Sequence, residues 1–233
     1  VASKIWKNVG MRLRKPSGTF LMVDDPLFDP IYEYLASVGK PVLMHIGEPL
    51  ACWRPLDAHN AHAGYYAAHP EWYMGDKPDH PSHAQLIEAR DSVLARHPRL
   101  RVIGAHLGSL EYDVAEIGRR LDRFANFAVD TSARLGDLAR QDPSVVREFF
   151  LRYQDRILFG TDIVQRQPVS ELNEEARSSH LASVSARYQL ELGYLRSQAK
   201  VNLGGIEAPG LALPAQVVEK VVYRNAKRWY PGL

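Results

Sequence analysis

The chain has 233 residues, 45% of them hydrophobic and 24% charged, with a formal net charge of +2. That length supports one sizeable core and a single domain over residues 1–233. Basic and acidic residues are interspersed, which argues against nucleic-acid binding. No apolar run approaches the ~18 residues needed to cross a bilayer, and one cysteine, Cys52, excludes an intrachain disulfide.

Strand and helix signals alternate along the chain as in a parallel sheet with crossover helices. Residues 1–7 are the first strand candidate. This segment opens VASKIWKNVGM and reads as the interior of an element, so the sequence is taken as part of a longer chain. The next helix opens at Asp29-Pro30, with Asp29 as N-cap and proline in the first helical position. Ile31, Tyr34, Leu35 and Val38 are expected to form its apolar face, and Gly39 ends it. Residues 41–45 follow as a strand. A long excursion over residues 47–81 is rich in Trp, Tyr, His, Pro and Gly. Ser82 and Gln85 make a capping box that opens a helix with Leu86, Ala89, Val93 and Leu94 on one side. Residues 101–106 are the next strand. Leu110, Val114, Ile117, Leu121 and Phe124 then repeat at helical spacing. Residues 127–131 form a further strand, and Asp142-Pro143 announces a helix with Val146, Phe149 and Phe150 inward. Residues 156–162 close the strand series. Leu181, Val184, Tyr188, Leu192 and Leu195 mark another helix. Residues 204–214 read as a Gly/Pro-rich turn before a last helix that buries Val217, Val218, Val221 and Val222.

Three apolar runs end on metal-friendly residues: PVLMHIG at His45, VIGAHLG at His106 and ILFGTD at Asp162. Strand side chains alternate, so Leu43 is expected beneath His45, Val102 and Gly104 beneath His106, and Leu158 and Gly160 beneath Asp162. Several strand ends delivering such groups to one rim is how a (β/α)-barrel builds a metal site. Each residue also has a plainer reading: a strand-closing histidine can be a structural hydrogen-bonder, and Asp162 can cap its loop. Arg134, just past the strand of AVDTSAR, suits a substrate carboxylate because its planar fork matches that group; a surface ion pair is the alternative. Asp130 either orients the site or caps the turn. Lys4 and Lys7 have opposite parity and compete for one inward, substrate-facing position, which the reading gives to Lys7. Long loops after barrel strands line the mouth, so Trp53, Arg54, Tyr65, Tyr66, Trp72 and Tyr73 are expected to shape the pocket. A satellite core or a dimer contact is the alternative.

From the first strand to the C-terminal NAKRWYPGL, these motifs resemble the amidohydrolase superfamily, in its branch of metal-dependent hydrolases and decarboxylases. The resemblance implies an α/β fold, a (β/α)8 TIM-type barrel, of which this chain holds the last five strand–helix units plus C-terminal helices. It implies that His45 and Asp162 are metal ligands, that Asp162 also takes a proton from water, and that His106 stabilises or protonates the reacting group. A divalent metal is expected, zinc first, with manganese or iron as alternatives. The family's first-strand His-x-His pair has no counterpart in this sequence, so the metal site is expected to be incomplete. The implied activity is metal-dependent hydrolysis of a small carboxylate-, amide- or ester-bearing molecule. The alternatives are nonoxidative decarboxylation of an aromatic or unsaturated acid, and a catalytically silent barrel used for binding. The expected partners are a small-molecule substrate and a second copy in a homodimer, with no nucleic acid or membrane. The compartment stays open, a soluble cytoplasmic chain being expected ahead of an exported one.

Overall fold

The computed structural model describes residues 2–165 and 167–232, and Val1 of the first strand candidate lies outside them. Each expected strand is present in a shorter form: β1 (Ser3–Ile5), β2 (Val42–Met44), β3 (Val102–Gly104), β4 (Phe127–Asp130) and β5 (Ile157–Leu158). All pair in parallel with their neighbours in chain order, β1-β2-β3-β4-β5. A doubly wound sheet reverses its order at a switch point, whereas sequential order with crossovers of one hand keeps every helix on one face. The fold is therefore a (β/α)-barrel architecture of five consecutive units, with the sheet not closed.

The crossover helices are α1 (Asp29–Ser37), α2 (His83–Arg96), α3 (Val114–Arg123) and α4 (Pro143–Arg152), followed by α5 (Glu174–Arg196). Their starts follow the capping chemistry of the sequence. Ser82 and Gln85 form a reciprocal box at α2, and Asp142 accepts from Ser144 N and Val145 N with Pro143 at the first position of α4. At α1 the start is set differently. A 3₁₀ turn over Pro26–Phe28, capped by Asp25, leads directly into the helix, so Asp29 is its first residue rather than its cap.

Register divides the sheet into two faces. Val42, Met44, Val102, Phe127, Val129 and Ile157 join the large core beneath the helices, with Leu86, Val93, Ile117, Val146 and Phe150. The opposite, inner face carries Leu43, Ile103, Ala128 and Leu158, which form a second cluster with Trp229 and Tyr230 from the C-terminal end. This corrects the expected layering: Val102 and Gly104 lie on the helix face and not beneath His106. An added Cβ at Gly104 would meet Gly108 Cα at 2.8 Å and the Phe127 ring at 2.9 Å, both on that helix face.

Two other expectations change. Residues expected to form only a turn include half of an antiparallel hairpin, β6 (Lys200–Leu203) with β7 (Ile206–Pro209), closed by Gly204 and Gly205 at φ 65° and 90°. Two consecutive positive-φ residues match the twist of flanking strands, which is why Gly-Gly serves there. On α1 only Leu35 of the four expected inward residues is buried; Ile31, Tyr34 and Val38 are exposed and Tyr32 turns inward instead. The C-terminal segment runs through α6 (Ala215–Glu219), one π turn (Lys220–Arg224) and α7 (Asn225–Trp229). The wider π turn frees the Val221 carbonyl, which accepts from Phe159 N at 2.9 Å just past β5. No helix among the described residues is long and apolar enough to cross a membrane.

Candidate active site

A cleft of about 690 Å³ opens where the strands end. His45, His106, Asp162, Arg134, Lys4 and Lys7 line it, with Tyr65, Tyr66 and Trp72 from the excursion. The chemistry-bearing residues expected from the strand ends are thus brought together from β1, β2, β3, β4 and β5. A larger cleft of about 990 Å³ lies elsewhere, between the Arg14–Phe20 turn and α2, and contains none of them.

His45 arrives by simple strand parity, two residues after inward-facing Leu43. His106 does not. Its strand stops at Gly104, and four successive residues follow in left-handed backbone: His106 (φ 56°), Leu107 (58°), Gly108 (65°) and Ser109 (59°). The reversal carries His106 to the inner mouth from a strand position that faces the helices. Left-handed backbone costs about 1–2 kcal/mol per non-glycine residue, so such a run persists only where its surroundings hold it. Asp130 supplies part of that hold: its Oδ1 accepts from His106 N at 2.9 Å and from Ser132 N at 3.0 Å. Asp130 therefore orients the site and caps its turn at once. Asp162 is also left-handed, at φ 52°, and so is Ala133 at 57°, the residue that lifts Arg134 into the cleft.

The His106 ring is fixed by a second bond. Nδ1–H donates to the Ser132 carbonyl at 2.8 Å, leaving Nε2 as the free nitrogen. The His45 ring meets it edge-on, centroids 4.4 Å apart. Burial first, then neighbouring positive groups led by His106, push His45 down to about 2, so its imidazole is neutral. Burial and the Arg134 guanidinium likewise hold His106 below the ordinary histidine value, against the opposing pull of the Ser132 bond, Asp130 and Asp162.

The two lysines have different fates. Lys4 pairs in register with inward Leu43. Lys7, just beyond the strand, is buried and bonded to Glu48, and its ammonium sits 3.8 Å from the centre of the Trp72 ring. Tyr66 donates to the other oxygen of Glu48 at 3.2 Å. Lys7 is therefore neutralised within the protein, which corrects its reading as the free substrate-facing cation. Arg134 is held more loosely among the described residues, in a long ion pair with Asp137. Its Nε is buried without a hydrogen bond, Asp137 stands 4.0 Å away, and Nη1 reaches only the carbonyl of Ala133.

Trp53 and Arg54 stand off the cleft. The Trp53 indole donates to Pro81 O at 3.1 Å and packs on His83, while Arg54 is exposed. Tyr73 also points elsewhere, donating to Arg54 O at 3.0 Å. Glu48, His62 and His69 also line the cleft, and no strand-end motif in the sequence singles them out. His62 Nε2 is 2.8 Å from Asp137 Oδ1. Each of these contacts joins distant segments and leaves no local signal.

Two neutral imidazoles and a carboxylate are donors that zinc accepts. Among the described residues, however, no three His, Cys, Asp or Glu side chains converge closely enough to hold a metal ion. The donors surround one cleft without surrounding one point, so the residues present do not make a complete metal centre.

The fold is that of a (β/α)-barrel with its cleft at the strand ends, and the amidohydrolase family model matches residues 7–232. The chain belongs to the amidohydrolase family, whose members are metal-dependent enzymes. Among solved structures it is similar to an uncharacterized TIM-barrel protein from Bordetella bronchiseptica, at 20% identity and TM-score 0.44 over 91% of this chain and 52% of that one. It is also similar to 2,6-dihydroxybenzoate decarboxylase in complex with 2,6-dihydroxybenzoate, at 18% identity and TM-score 0.47 over 97% and 60%. A dihydroxybenzoic acid decarboxylase from a Polaromonas species, with bound manganese and an inhibitor, matches at 18% identity and TM-score 0.42 over 81% and 60%. The chain thus spans between half and two thirds of the length of these proteins. No curated protein matches the sequence.

Proposed function

We propose that this cleft binds a small carboxylate-bearing molecule and hydrolyses an amide or ester bond in it, with Asp162 and His106 handling the protons. The observation that carries the reading is Arg134: a guanidinium whose buried Nε has no hydrogen bond among the described residues, only the long ion pair with Asp137, beside His45, His106 and Asp162. A buried donor left unsatisfied costs about 1–3 kcal/mol, more for a charged group, and a substrate carboxylate would relieve that cost. Lys4 adds a second positive charge on the inner face, and Tyr65 and Trp72 supply apolar wall.

In this reading Asp162 accepts the proton of the attacking water. That proton then passes from Asp162 to His106 Nε2, whose ring keeps its Nδ1–H on the Ser132 carbonyl, and from Nε2 to the leaving group. His45 and Asp162 are proposed as two protein ligands of a divalent metal, zinc before manganese or iron. Two such ligands fall short of the three that a catalytic zinc site takes from protein, so no step is assigned to the ion. Nonoxidative decarboxylation is the second reading, favoured by the aromatic rings of Tyr65 and Trp72 in the same cleft as the Arg134 cation, a pairing that suits a planar aromatic acid.

The test is a substrate panel of N-acyl amino acids, carboxylate esters and hydroxylated aromatic acids. Each is assayed with added zinc, manganese or iron, following product and CO₂ release. Asp162→Asn is expected to keep the wild-type circular dichroism and lose 10²-fold or more in turnover, the usual cost of a missing general base. Near-normal turnover in that variant sinks the assignment; CO₂ release without hydrolysis selects the second reading.

A further inference from the structure

Two of the strand-end residues in the cleft, His106 and Asp162, share an unusual feature: both stand in left-handed backbone that non-glycine residues avoid. The bonds from Asp130 and Ser132 account for His106 itself but not for the rest of its turn, and they do not reach Asp162. Each segment is also held from the helix behind it, and in both places an arginine takes part, beside His83 at the His106 turn.

Arg90, on α2, is fully buried. Its Nη1 donates to the Gly108 carbonyl, inside the left-handed run, at 2.6 Å. Its Nε and Nη2 donate to Asp91 Oδ1 at 3.2 and 2.9 Å. A Cβ on Gly108 would lie 2.8 Å from Nη1, so glycine permits the approach. Arg187, on α5, repeats the arrangement at the other strand end. Its Nη2 donates to the Thr161 carbonyl, immediately before Asp162, and its Nε donates to Glu191 Oε1 at 2.8 Å. Glu191 is buried, with 6% exposure, on the same helix. In each case a carboxylate of the same helix anchors part of the guanidinium while another of its N–H groups donates to a carbonyl of the strand end. A fork with five donors in one rigid plane can do both at once; an ammonium cannot.

We propose that Arg90 and Arg187 are positioning residues, each carrying the rigidity of a crossover helix to a left-handed strand end and so fixing where His106 and Asp162 stand in the cleft. The chemical consequence rests on the roles given to His106 and Asp162 above; the geometric claim does not. The two arms are separate, since Arg90 reaches only the His106 turn and Arg187 only the Asp162 turn.

The test uses the full chain with Arg90→Lys, Arg90→Met, Arg187→Lys and Arg187→Met, read by crystal structures and by nitrogen-15 NMR of the His106 ring. In Arg187→Met, Asp162 is expected to leave positive φ while His106 keeps its Nδ1–H tautomer. In Arg90→Lys, the His106 tautomer is expected to become mixed while Asp162 stays in place. Arg187 is partly exposed, so its variants fold even if Arg90→Met does not, and Arg90→Lys retains the buried charge. Where turnover is measurable, both displaced variants should lose about 10²-fold in kcat, the scale of a misplacement of about 1 Å, with KM little changed. Unchanged backbone at Asp162 in Arg187→Met, together with an unchanged His106 tautomer in Arg90→Lys, overturns the proposal. A fall in turnover without those movements overturns it too. A wild-type protein with no turnover on any substrate defeats the proposed chemistry, and the two geometric readouts still decide what the arginines do.

Discussion

Lys7 and Glu48 sit 41 positions apart in sequence and nearly out of solvent, with side chains 7% and 5% exposed. Their pairing shows why a cation near a cleft is not thereby a substrate group. Removing one partner of a buried pair strands the other charge, at a cost of about 3–5 kcal/mol, whereas removing both costs far less. Lys7→Met is therefore expected to lower stability by that amount in urea denaturation. Adding Glu48→Gln should restore most of it, since a neutral amide still accepts from Tyr66. A single variant as stable as wild type would show that the pair contributes no such coupling. The same residues mark what could be read from sequence. His45, His106, Asp162 and Arg134 were legible because each closes or follows an apolar strand. Glu48 and the bond between His62 and Asp137 were not, because their partners are chosen by tertiary contact. Nor was the left-handed backbone, since neither His106 nor Asp162 carries the glycine that usually announces it.

At the scale of elements, α2 does more than cover the sheet. Its first residue, His83, is buried and its Nε2–H donates to the Ser109 carbonyl at 2.7 Å, at the end of the left-handed run. Burial pushes His83 down to about 4, partly opposed by the Ser109 bond. The unfolded chain, with a histidine near 6.5, binds more protons than the folded one between those values. Stability from His83 is thus fully present above about pH 6.5 and falls as pH drops toward 4, by about 3 kcal/mol in all. Denaturation at a series of pH values should show a shallower slope over this window in His83→Gln than in wild type. Coincident slopes would exclude His83 as the group responsible. Helix starts such as this one were readable because caps are local chemistry, Ser82 with Gln85 and Asp142 with Pro143. The β6–β7 hairpin was missed because Gly204-Gly205 was weighed as loop composition and not as a two-residue turn between short extended segments.

At the scale of the molecule, the two edges of the open sheet are treated differently. Past β5 the backbone continues into a bond with Val221, and Trp229 covers the inner face over Ile103, Ala128 and Leu158. Among the described residues β1 pairs only with β2, and the 3₁₀ turn, α1 and its C-cap that follow expose Leu27, Ile31, Tyr34 and Val38, at 67, 52, 64 and 45%. In a barrel each crossover helix packs between two neighbours, and α1 belongs to the unit at the edge of this sheet, so among the described residues one flank has no neighbouring helix. The amphipathic pattern in the sequence was therefore real, but it named a surface that this sheet does not cover. We expect a second copy of the chain to cover it, since contiguous exposed apolar patches mark association surfaces more often than free ones. Sedimentation should then find dimers in the wild-type protein, with Ile31→Glu and Tyr34→Glu together shifting it to monomer at unchanged circular dichroism. A wild type that sediments as a monomer at every concentration, or a double variant that remains dimeric, would show that this surface is not the contact.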